Sequence, residues 1–125
     1  MKAKKQEIPD LQTCLANQKI MIVDPGATSR ASMHKVFHDL GAPTGNINLV
    51  DSYKNAVAEI FGFQASILVT EYDLEKKCGL DLLQELRTMY PKETKNVIFV
   101  IVTANTSQTA VAKAAEEDVD AYILK

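Results

Sequence analysis

Lys19-Ile-Met-Ile-Val-Asp24 begins the alternation of strands and helices that decides the fold. This apolar run has the length and the β-branched content of a buried strand. Apolar residues at helical spacing follow it, and Gly41 is placed to end that helix. The helical stripe consists of Met33, Val36, Phe37 and Leu40. A strand followed by a helix is the repeating unit of α/β proteins.

The same unit recurs along the rest of the chain. Further strands are predicted at 46–50, 66–70, 97–102 and 121–125, and residues 97–102 are the most apolar. The second helix is expected to end at Gly62 and the third before Pro91. Five strands that alternate with helices predict a parallel sheet covered on both faces. The predicted fold is therefore α/β and flavodoxin-like, with strand order 2-1-3-4-5.

Length and composition fit one globular domain. The chain has 125 residues, of which 46% are hydrophobic and 24% charged, and its formal net charge is −2. This length is too short for two packed domains, and the composition is unlike that of disordered or fibrous chains. A small basic cluster at Lys2, Lys4 and Lys5 is the only local excess of positive charge, so nucleic acid is not expected as a partner.

The remaining bulk features favour a soluble cytoplasmic protein. Cys14 and Cys78 lie far apart and outside any C-x-x-C pattern, as expected of free thiols in a reducing compartment. The longest apolar run is too short to cross a bilayer, and no secretory signal is recognisable. Residues 1–18 form an N-terminal extension, which is either a frayed tail or a short helix at 9–17.

Polar side chains stand where the predicted strands end. Asp24 ends the first strand, Glu71 follows the third, Thr103 the fourth, and Lys125 ends the fifth. Ligands of open parallel sheets bind beyond the carboxyl ends of the strands, so these groups are expected to meet at one rim. Carboxylates can hold a cation or attack a phosphoryl group, and hydroxyl and ammonium groups stabilise phosphoryl oxygens.

With these residues, the sequence from 19 to 125 resembles the receiver domains of two-component response regulators, of which the chemotaxis protein CheY is the single-domain type. The resemblance rests on an ordered set of signs: Ile-Val-Asp24, Arg30, Gly79 in Gly-Leu-Asp-Leu-Leu, Val-Thr103-Ala, and Ala-Tyr122-Ile-Leu-Lys125. It implies that an aspartate after strand three accepts a phosphoryl group and that magnesium is held by an acidic pair after strand one. It also implies that Thr103, Tyr122 and Lys125 are the positions that sense phosphorylation.

The chain departs from the family pattern at two positions. The phosphoacceptor position is occupied by Glu71, which is one methylene longer than aspartate, and the second member of the acidic pair is replaced by Pro25. Asp24 and Asp73 remain as a weak or absent metal site. We therefore expect no catalytic residue, no required cofactor and only weakened Mg²⁺ binding, because phosphoryl transfer needs accurate placement of acceptor and metal.

The expected function is that of a degenerate receiver, a signalling module that acts through protein–protein contact without phosphorylation. Its partners would be other signalling proteins or a linked output domain. Glu71 paired with Lys125 could imitate the phosphorylated state, or form a simple ion pair at the rim. Two alternatives remain: a phosphorylatable receiver that uses Mg²⁺ with Asp73 or Asp24, and a flavodoxin-like domain that binds a small ligand at the loop 25–30.

Two further signals are weaker. His34 and His38 have the i, i+4 spacing of a metal-binding helix face but lack a third ligand, so an exposed pair is favoured. Cys78 is expected to be a bystander thiol.

Receivers typically continue beyond the lysine of strand five into a fifth helix, which is absent from this chain. We therefore expect residues 19–125 to be a receiver-like domain truncated after strand five. Either the natural chain is longer, or the apolar patch left on the first-helix side of the sheet is covered by the N-terminal segment or by a second copy of the chain.

Overall fold

The computed structural model describes residues 15–125. In chain order its elements are β1 (Ile20–Val23), α1 (Ala27–Asp39), a 3-10 turn (Thr44–Asn46), β2 (Ile47–Val50), α2 (Tyr53–Phe63), β3 (Ile67–Thr70), β4 (Asp73–Leu74), β5 (Lys77–Cys78), α3 (Gly79–Met89), β6 (Ile98–Thr103), α4 (Gln108–Glu116) and β7 (Ala121–Leu124). The predicted alternation of strands and helices is confirmed.

Five strands form one parallel sheet in the order β2-β1-β3-β6-β7. Without the short strands β4 and β5, this is the predicted order 2-1-3-4-5. Ile20 of β1 pairs with Ile47 of β2 on one side and with Ile67 of β3 on the other, so the first strand is central. All four residues of β1 are buried, which is why its sequence is apolar without alternation.

A two-stranded antiparallel hairpin, β4 with β5, follows β3. The sequence predicted only a polar loop there. Two residues per strand are too few to show the period-2 alternation that identifies a strand, so the hairpin could not be recognised from the pattern.

The helix ends follow local backbone chemistry. After α1, Gly41 has φ 117°, a left-handed conformation that glycine adopts without strain, as predicted. The prediction that Gly62 ends α2 is wrong. The helix continues to Phe63, and Gln64 takes the left-handed position with φ 58°. The third helix ends at Met89, before Pro91, as expected.

The core lies on both faces of the sheet. On one face, Met21, Leu68 and Phe99 pack with the buried stripes of α2 and α3 and with Ala114 of α4. On the other face, Ile22 and Val69 belong to a smaller cluster with residues of α1. Full burial of each such aliphatic side chain contributes about 2 kcal/mol. The second face therefore has the smaller share of the stabilisation.

Part of the second face is open. Ile98 of β6 is 45% exposed and Ile123 of β7 is 49% exposed, and both lie on the α1 side of the sheet. In α1, Met33 and Phe37 pack on this side, whereas Val36 is 50% and Leu40 is 37% exposed. Two of the four residues in the predicted apolar stripe therefore pack against the sheet.

The predicted helix at 9–17 lies mostly outside the described residues, but Leu15 is buried in the cluster on the α1 side. Among residues 15–125, no helix is long and apolar enough to cross a membrane.

Candidate functional site

The carboxyl ends of four neighbouring strands bring Asp24, Glu71, Thr103 and Lys125 to one edge of the sheet, as predicted. Backbone hydrogen bonds extend the sheet beyond the strands and fix these residues. The amide of Glu71 donates to the carbonyl of Val23 at 2.8 Å, and the amide of Lys125 donates to the carbonyl of Thr103 at 2.9 Å. The positions of the site residues therefore follow from the register of the sheet.

Asp24 is a buried carboxylate whose two oxygens both have partners. Oδ1 accepts from the amide of Gly26 at 2.8 Å, and Oδ2 accepts from Ser29 Oγ at 2.6 Å and from Lys125 Nζ at 2.8 Å. Burial alone would raise the pKa of Asp24, but these hydrogen bonds, with that from Lys125 foremost, outweigh it and lower the pKa. Asp24 is therefore a fixed negative charge.

Lys125 joins two strand ends through its ammonium group. Nζ lies 2.8 Å from Asp24 Oδ2 and 2.9 Å from Glu71 Oε1, and the side chains of the two carboxylates are only 7% and 12% exposed. Burial alone would lower the pKa of Lys125, but its bonds to the two carboxylates raise it. The predicted pair of Glu71 and Lys125 is present, and Asp24 makes it a triad.

Arg30 adds a second cation beside the triad. Its Nη1 donates to the carbonyl of Asp24 at 2.7 Å and to that of Pro25 at 3.0 Å. In the sequence Arg30 was only a sign of the family, and its contacts were not predicted. The sequence feature that could have predicted these contacts is the position of Arg30 in the first turns of α1, six residues after Asp24.

Asp73 lies apart from Asp24. It is exposed at the start of β4, its amide donates to Glu71 Oε2 at 3.0 Å, and its carboxylate accepts from Asn105 Nδ2 at 3.4 Å. Pro25 contributes no oxygen from its side chain. Within residues 15–125, no group of three or more His, Cys, Asp or Glu residues could hold a metal ion. The residues at this rim do not fit a divalent cation while Lys125 occupies the space between the carboxylates.

Asn105 organises the loop between β6 and α4, and the sequence did not single it out. Its amide donates to Thr103 Oγ1 at 3.1 Å, its carbonyl accepts from the hydroxyl of Tyr122 at 2.7 Å, and its side chain accepts from the amide of Ser107 at 2.9 Å. Two of the predicted sensing positions, Thr103 and Tyr122, are therefore tied to one loop residue. An Asn two residues before a helix cap was the missed signal.

Tyr122 is half-buried between the rim and the core. Burial raises its pKa, and the negative charges of Asp73 and Glu71 raise it further. Its ring lies 6.5 Å from that of Tyr72, centroid to centroid. The phenol is therefore neutral, and its hydroxyl donates a hydrogen bond to the carbonyl of Asn105.

Gly79, which located the acceptor position in the sequence, packs directly beneath Glu71. A Cβ at Gly79 would lie 2.8 Å from the carbonyl oxygen of Glu71 and 3.0 Å from Thr70 Cγ2. The amide of Gly79 also donates to the carbonyl of Tyr72 at 2.7 Å. Only a residue without a side chain allows α3 to approach the strand end this closely.

The histidines and Cys78 lie outside this cluster. The rings of His34 and His38 stack at 6.1 Å, and His38 Nδ1 is within 3.1 Å of the carbonyl of Ala42. Cys78 is a free thiol at the N-cap of α3.

An open cavity of about 640 Å³ lies beside the rim. It separates the loop at Pro25 and Arg30 from the start of α2 and from the β4–β5 hairpin, and its charged lining includes both acidic and basic side chains, among them Asp51 and Lys76. It is the place that the small-ligand alternative would use, but its mixed charges do not define one ligand.

Sequence comparison identifies a family and related proteins. The model of the family described as "Response regulator receiver domain" matches residues 20–125. Chemotaxis protein CheY-3 of Vibrio cholerae is 28% identical over 109 residues, which cover 87% of this chain and 81% of that protein. Chemotaxis protein CheY of Pseudomonas aeruginosa is 28% identical over 107 residues, covering 86% and 83%.

Solved structures share the fold. The chemotaxis response regulator CheY4 of Vibrio cholerae matches with a TM-score of 0.74 and 14% identity, over 86% of each chain. The BeF3-activated DrrB receiver domain matches with a TM-score of 0.70 and 16% identity, over 86% of this chain and 84% of the other.

Proposed function

Because this chain belongs to the response regulator receiver domain family of two-component systems, we propose that it is a receiver that signals through protein–protein contact without being phosphorylated. Receivers are signalling modules that act on other signalling proteins or on a linked output domain. The proposal concerns the input: in this chain, internal ion pairs take the place that phosphorylation has in the family.

The observation that carries the proposal is the position of the Lys125 ammonium group. It lies 2.9 Å from the carboxylate of Glu71, the residue at the phosphoacceptor position. Hydrogen bonds between charged groups are among the strongest in proteins, and partial burial reduces the screening of this one by salt. In this chain the carboxylate of Glu71 itself makes the contact with Lys125 that we propose takes the place of the contact with a phosphoryl group.

The same geometry disfavours phosphoryl transfer. An attacking oxygen must face the phosphorus with a free lone pair and correct alignment. Glu71 Oε1 accepts from Lys125, and Oε2 accepts from the amide of Asp73. Both oxygens of Glu71 are therefore held in place by a hydrogen bond, which fixes the orientation of the carboxylate, and the longer side chain places them differently from the oxygens of an aspartate.

The second part of the proposal is that the pair of Glu71 and Lys125 imitates the phosphorylated state of a receiver. Thr103 and Tyr122 are held by Asn105, and the hydroxyl of Tyr122 points to the loop before α4 rather than to solvent. We infer that the β6–α4 loop stays in one arrangement and that the chain presents a constant surface to its partner.

The test is incubation with acetyl phosphate and Mg²⁺, followed by intact-mass spectrometry. We expect the wild-type chain to keep its mass, and the double variant P25D/E71D, which has the acidic residues of the family, to gain one phosphoryl group. Phosphorylation of wild-type Glu71 or Asp73 would contradict the proposal and favour the phosphorylatable alternative. A double variant that also stays unmodified would refute our explanation, since these two positions would not be the cause.

We further propose a second copy of the chain as one partner. Ile98 of β6 and Ile123 of β7 are both about half exposed on the α1 side, and β7 is an edge strand with unpaired backbone groups on its outer side. An edge strand with adjacent apolar surface is self-complementary when two copies meet about a two-fold axis.

We also propose a cytoplasmic location, supported by the free thiol of Cys78.

A further inference from the structure

We propose that His34 and His38 of α1 form a binding site for a divalent transition-metal ion of the class that prefers nitrogen ligands, namely Zn²⁺, Ni²⁺ or Cu²⁺. Helix α1 begins shortly after Asp24 at the rim and ends before β2 starts, so the histidine pair lies toward the other end of the sheet. The inference is therefore independent of the proposed function.

The first argument is the spacing of the two rings. His34 and His38 are four residues apart, a spacing that places two imidazoles on one face of a helix and binds zinc in other proteins. Their ring centroids are 6.1 Å apart and the ring planes differ by 19°. Metal–nitrogen bonds are about 2.0–2.1 Å long, so two ring nitrogens must come within about 4 Å of each other to share one ion. Because His38 is exposed and His34 is half-buried, rotation of the two side chains achieves this without movement of the helix.

The second argument is the orientation of the His38 ring. Its Nδ1 lies 3.1 Å from the carbonyl oxygen of Ala42, which follows the end of α1. A carbonyl oxygen only accepts hydrogen bonds, so Nδ1 carries the proton and the lone pair of the neutral ring is on Nε2. Histidines that bind metals usually donate from their second ring nitrogen to a carbonyl group or a carboxylate in this way. The fold therefore selects Nε2 of His38 as the metal-binding atom.

The third argument is local charge. His38 lies in the last turn of α1, where the unpaired backbone carbonyls carry a partial negative charge that favours cations. The neighbouring carboxylate of Asp39 is paired with Lys35 at 2.7 Å, so these two exposed charges offset each other. The end of the helix therefore favours a bound cation.

The ligand set decides the class of ion. Imidazole nitrogen suits zinc, copper and nickel, whereas Mg²⁺ and Ca²⁺ take oxygen ligands. Within residues 15–125, no group of three or more His, Cys, Asp or Glu residues could hold a metal ion, so the described part of the chain supplies two imidazoles and water completes the shell. An ion held by two protein ligands in an open shell binds reversibly.

The experiment is a titration of the untagged chain, without any phosphodonor, with NiCl₂. Amide NMR spectra of ¹⁵N-labelled protein are recorded, because Ni²⁺ is paramagnetic and broadens nearby signals. We expect selective broadening at His34, His38 and Ala42, and no change of chemical shift at these positions in MgCl₂. Calorimetric titration with Zn²⁺ should give one ion per chain. At ten times the dissociation constant, Zn²⁺ should raise the melting temperature by about 4 °C.

The matched control is S32H/H34S, which keeps the composition of the chain and changes only the spacing of the histidines. Ser32 is exposed, and positions 32 and 38 are six residues apart, on different faces of the helix. We expect this variant to bind Zn²⁺ at least about tenfold more weakly, because a second imidazole no longer reaches the ion. K35Q, which removes the lysine between the two histidines in sequence, should keep the wild-type affinity.

Equal Zn²⁺ affinity in the wild type and in folded S32H/H34S would overturn the proposal, because the spacing of the histidines would then be irrelevant. Broadening centred on another part of the wild-type chain would overturn it as well. H38Q, a single substitution at an exposed position, gives a second measurement if S32H/H34S does not fold. Unchanged affinity in H38Q would refute the site, and a loss of at least about tenfold would support it.

Discussion

At the scale of single residues, the carboxylates of the rim are held by hydrogen bonds from neighbouring groups. The carboxylate of Asp24 accepts three hydrogen bonds and that of Glu71 accepts two, so each of the four carboxylate oxygens has at least one partner. Carboxylates with shifted pKa values in a cleft are often catalytic, although structural ion-pair networks shift pKa values as well. At this rim, the carboxylates of Asp24 and Glu71 and the ammonium group of Lys125 hold the strand ends together, which is a structural role.

The stability of the rim should depend on pH through Asp24. Because its pKa is lower in the folded chain than in the unfolded chain, its contribution is complete above the unfolded pKa and is lost as pH falls through the folded pKa. We expect D24N to reduce the free energy of unfolding by about 2 kcal/mol at pH 7 and by less at pH 3, measured by urea denaturation.

The control for this prediction is D39N, which removes the carboxylate of the exposed pair with Lys35 and should change stability little at either pH. A D24N deficit of equal size at pH 7 and pH 3 would show that the lost contacts do not depend on the charge of Asp24.

At the scale of elements, the close approach of α3 to the end of β3 sets the position of Glu71. The helix begins at Gly79, and its amide bonds to the carbonyl of Tyr72, so the hairpin β4–β5 returns the chain directly under the rim. The loop after β6 is fixed in a similar way by Asn105 and by Ser107, whose Oγ caps α4 by accepting from the amide of Ala110 at 3.1 Å.

Two glycine-to-alanine substitutions in helices should have opposite effects. In G79A the new Cβ would lie 2.8 Å from a backbone carbonyl oxygen, so we expect a loss of about 2 kcal/mol and shifted amide signals at Glu71 and Lys125. In G62A the new Cβ meets nothing within 4 Å, and alanine is the better helix former, so we expect a gain of about 1 kcal/mol.

Urea denaturation of both variants beside the wild type measures these differences. Equal effects at the two positions would mean that α3 can move away from Glu71 at no cost, which is incompatible with a rigid rim.

At the scale of the whole molecule, the sheet is covered unevenly. Helices α2, α3 and α4 pack on one face, whereas α1 and Leu15 account for the described contacts on the other. Exposed Ile98 and Ile123 lie on this second face. Exposed apolar residues on a thinly covered sheet face are where we propose that a second copy of the chain binds.

We expect the chain to be dimeric at micromolar concentration and the double variant I98K/I123K to be monomeric, as measured by light scattering during size-exclusion chromatography. Because both side chains are about half exposed in the single chain, the variant should keep its far-ultraviolet circular dichroism. V111K, a substitution at another exposed apolar position, is the control and should stay dimeric. A wild-type monomer would exclude self-association through this surface.

Much of the architecture was predictable because it depends on patterns local in sequence. Apolar runs such as 19–24 and 97–102 identified the strands, and the rule that ligand groups follow parallel strands brought Asp24, Glu71, Thr103 and Lys125 to one rim. The hairpin β4–β5 and the continuation of α2 past Gly62 were missed, since each depends on one or two residues whose conformation is decided by packing.

The sequence by itself determined the fold, the family and the identity of the residues at the rim, because strand periodicity and the order of strand ends require no knowledge of distances. Only the tertiary structure decided how those residues are paired. Lys125 and Asp24 are separated by 101 positions, and the sequence predicted a pair of Lys125 with Glu71 alone. The triad exists because sheet register and side-chain reach place one ammonium group between two strand ends, and this is a property of three-dimensional distance.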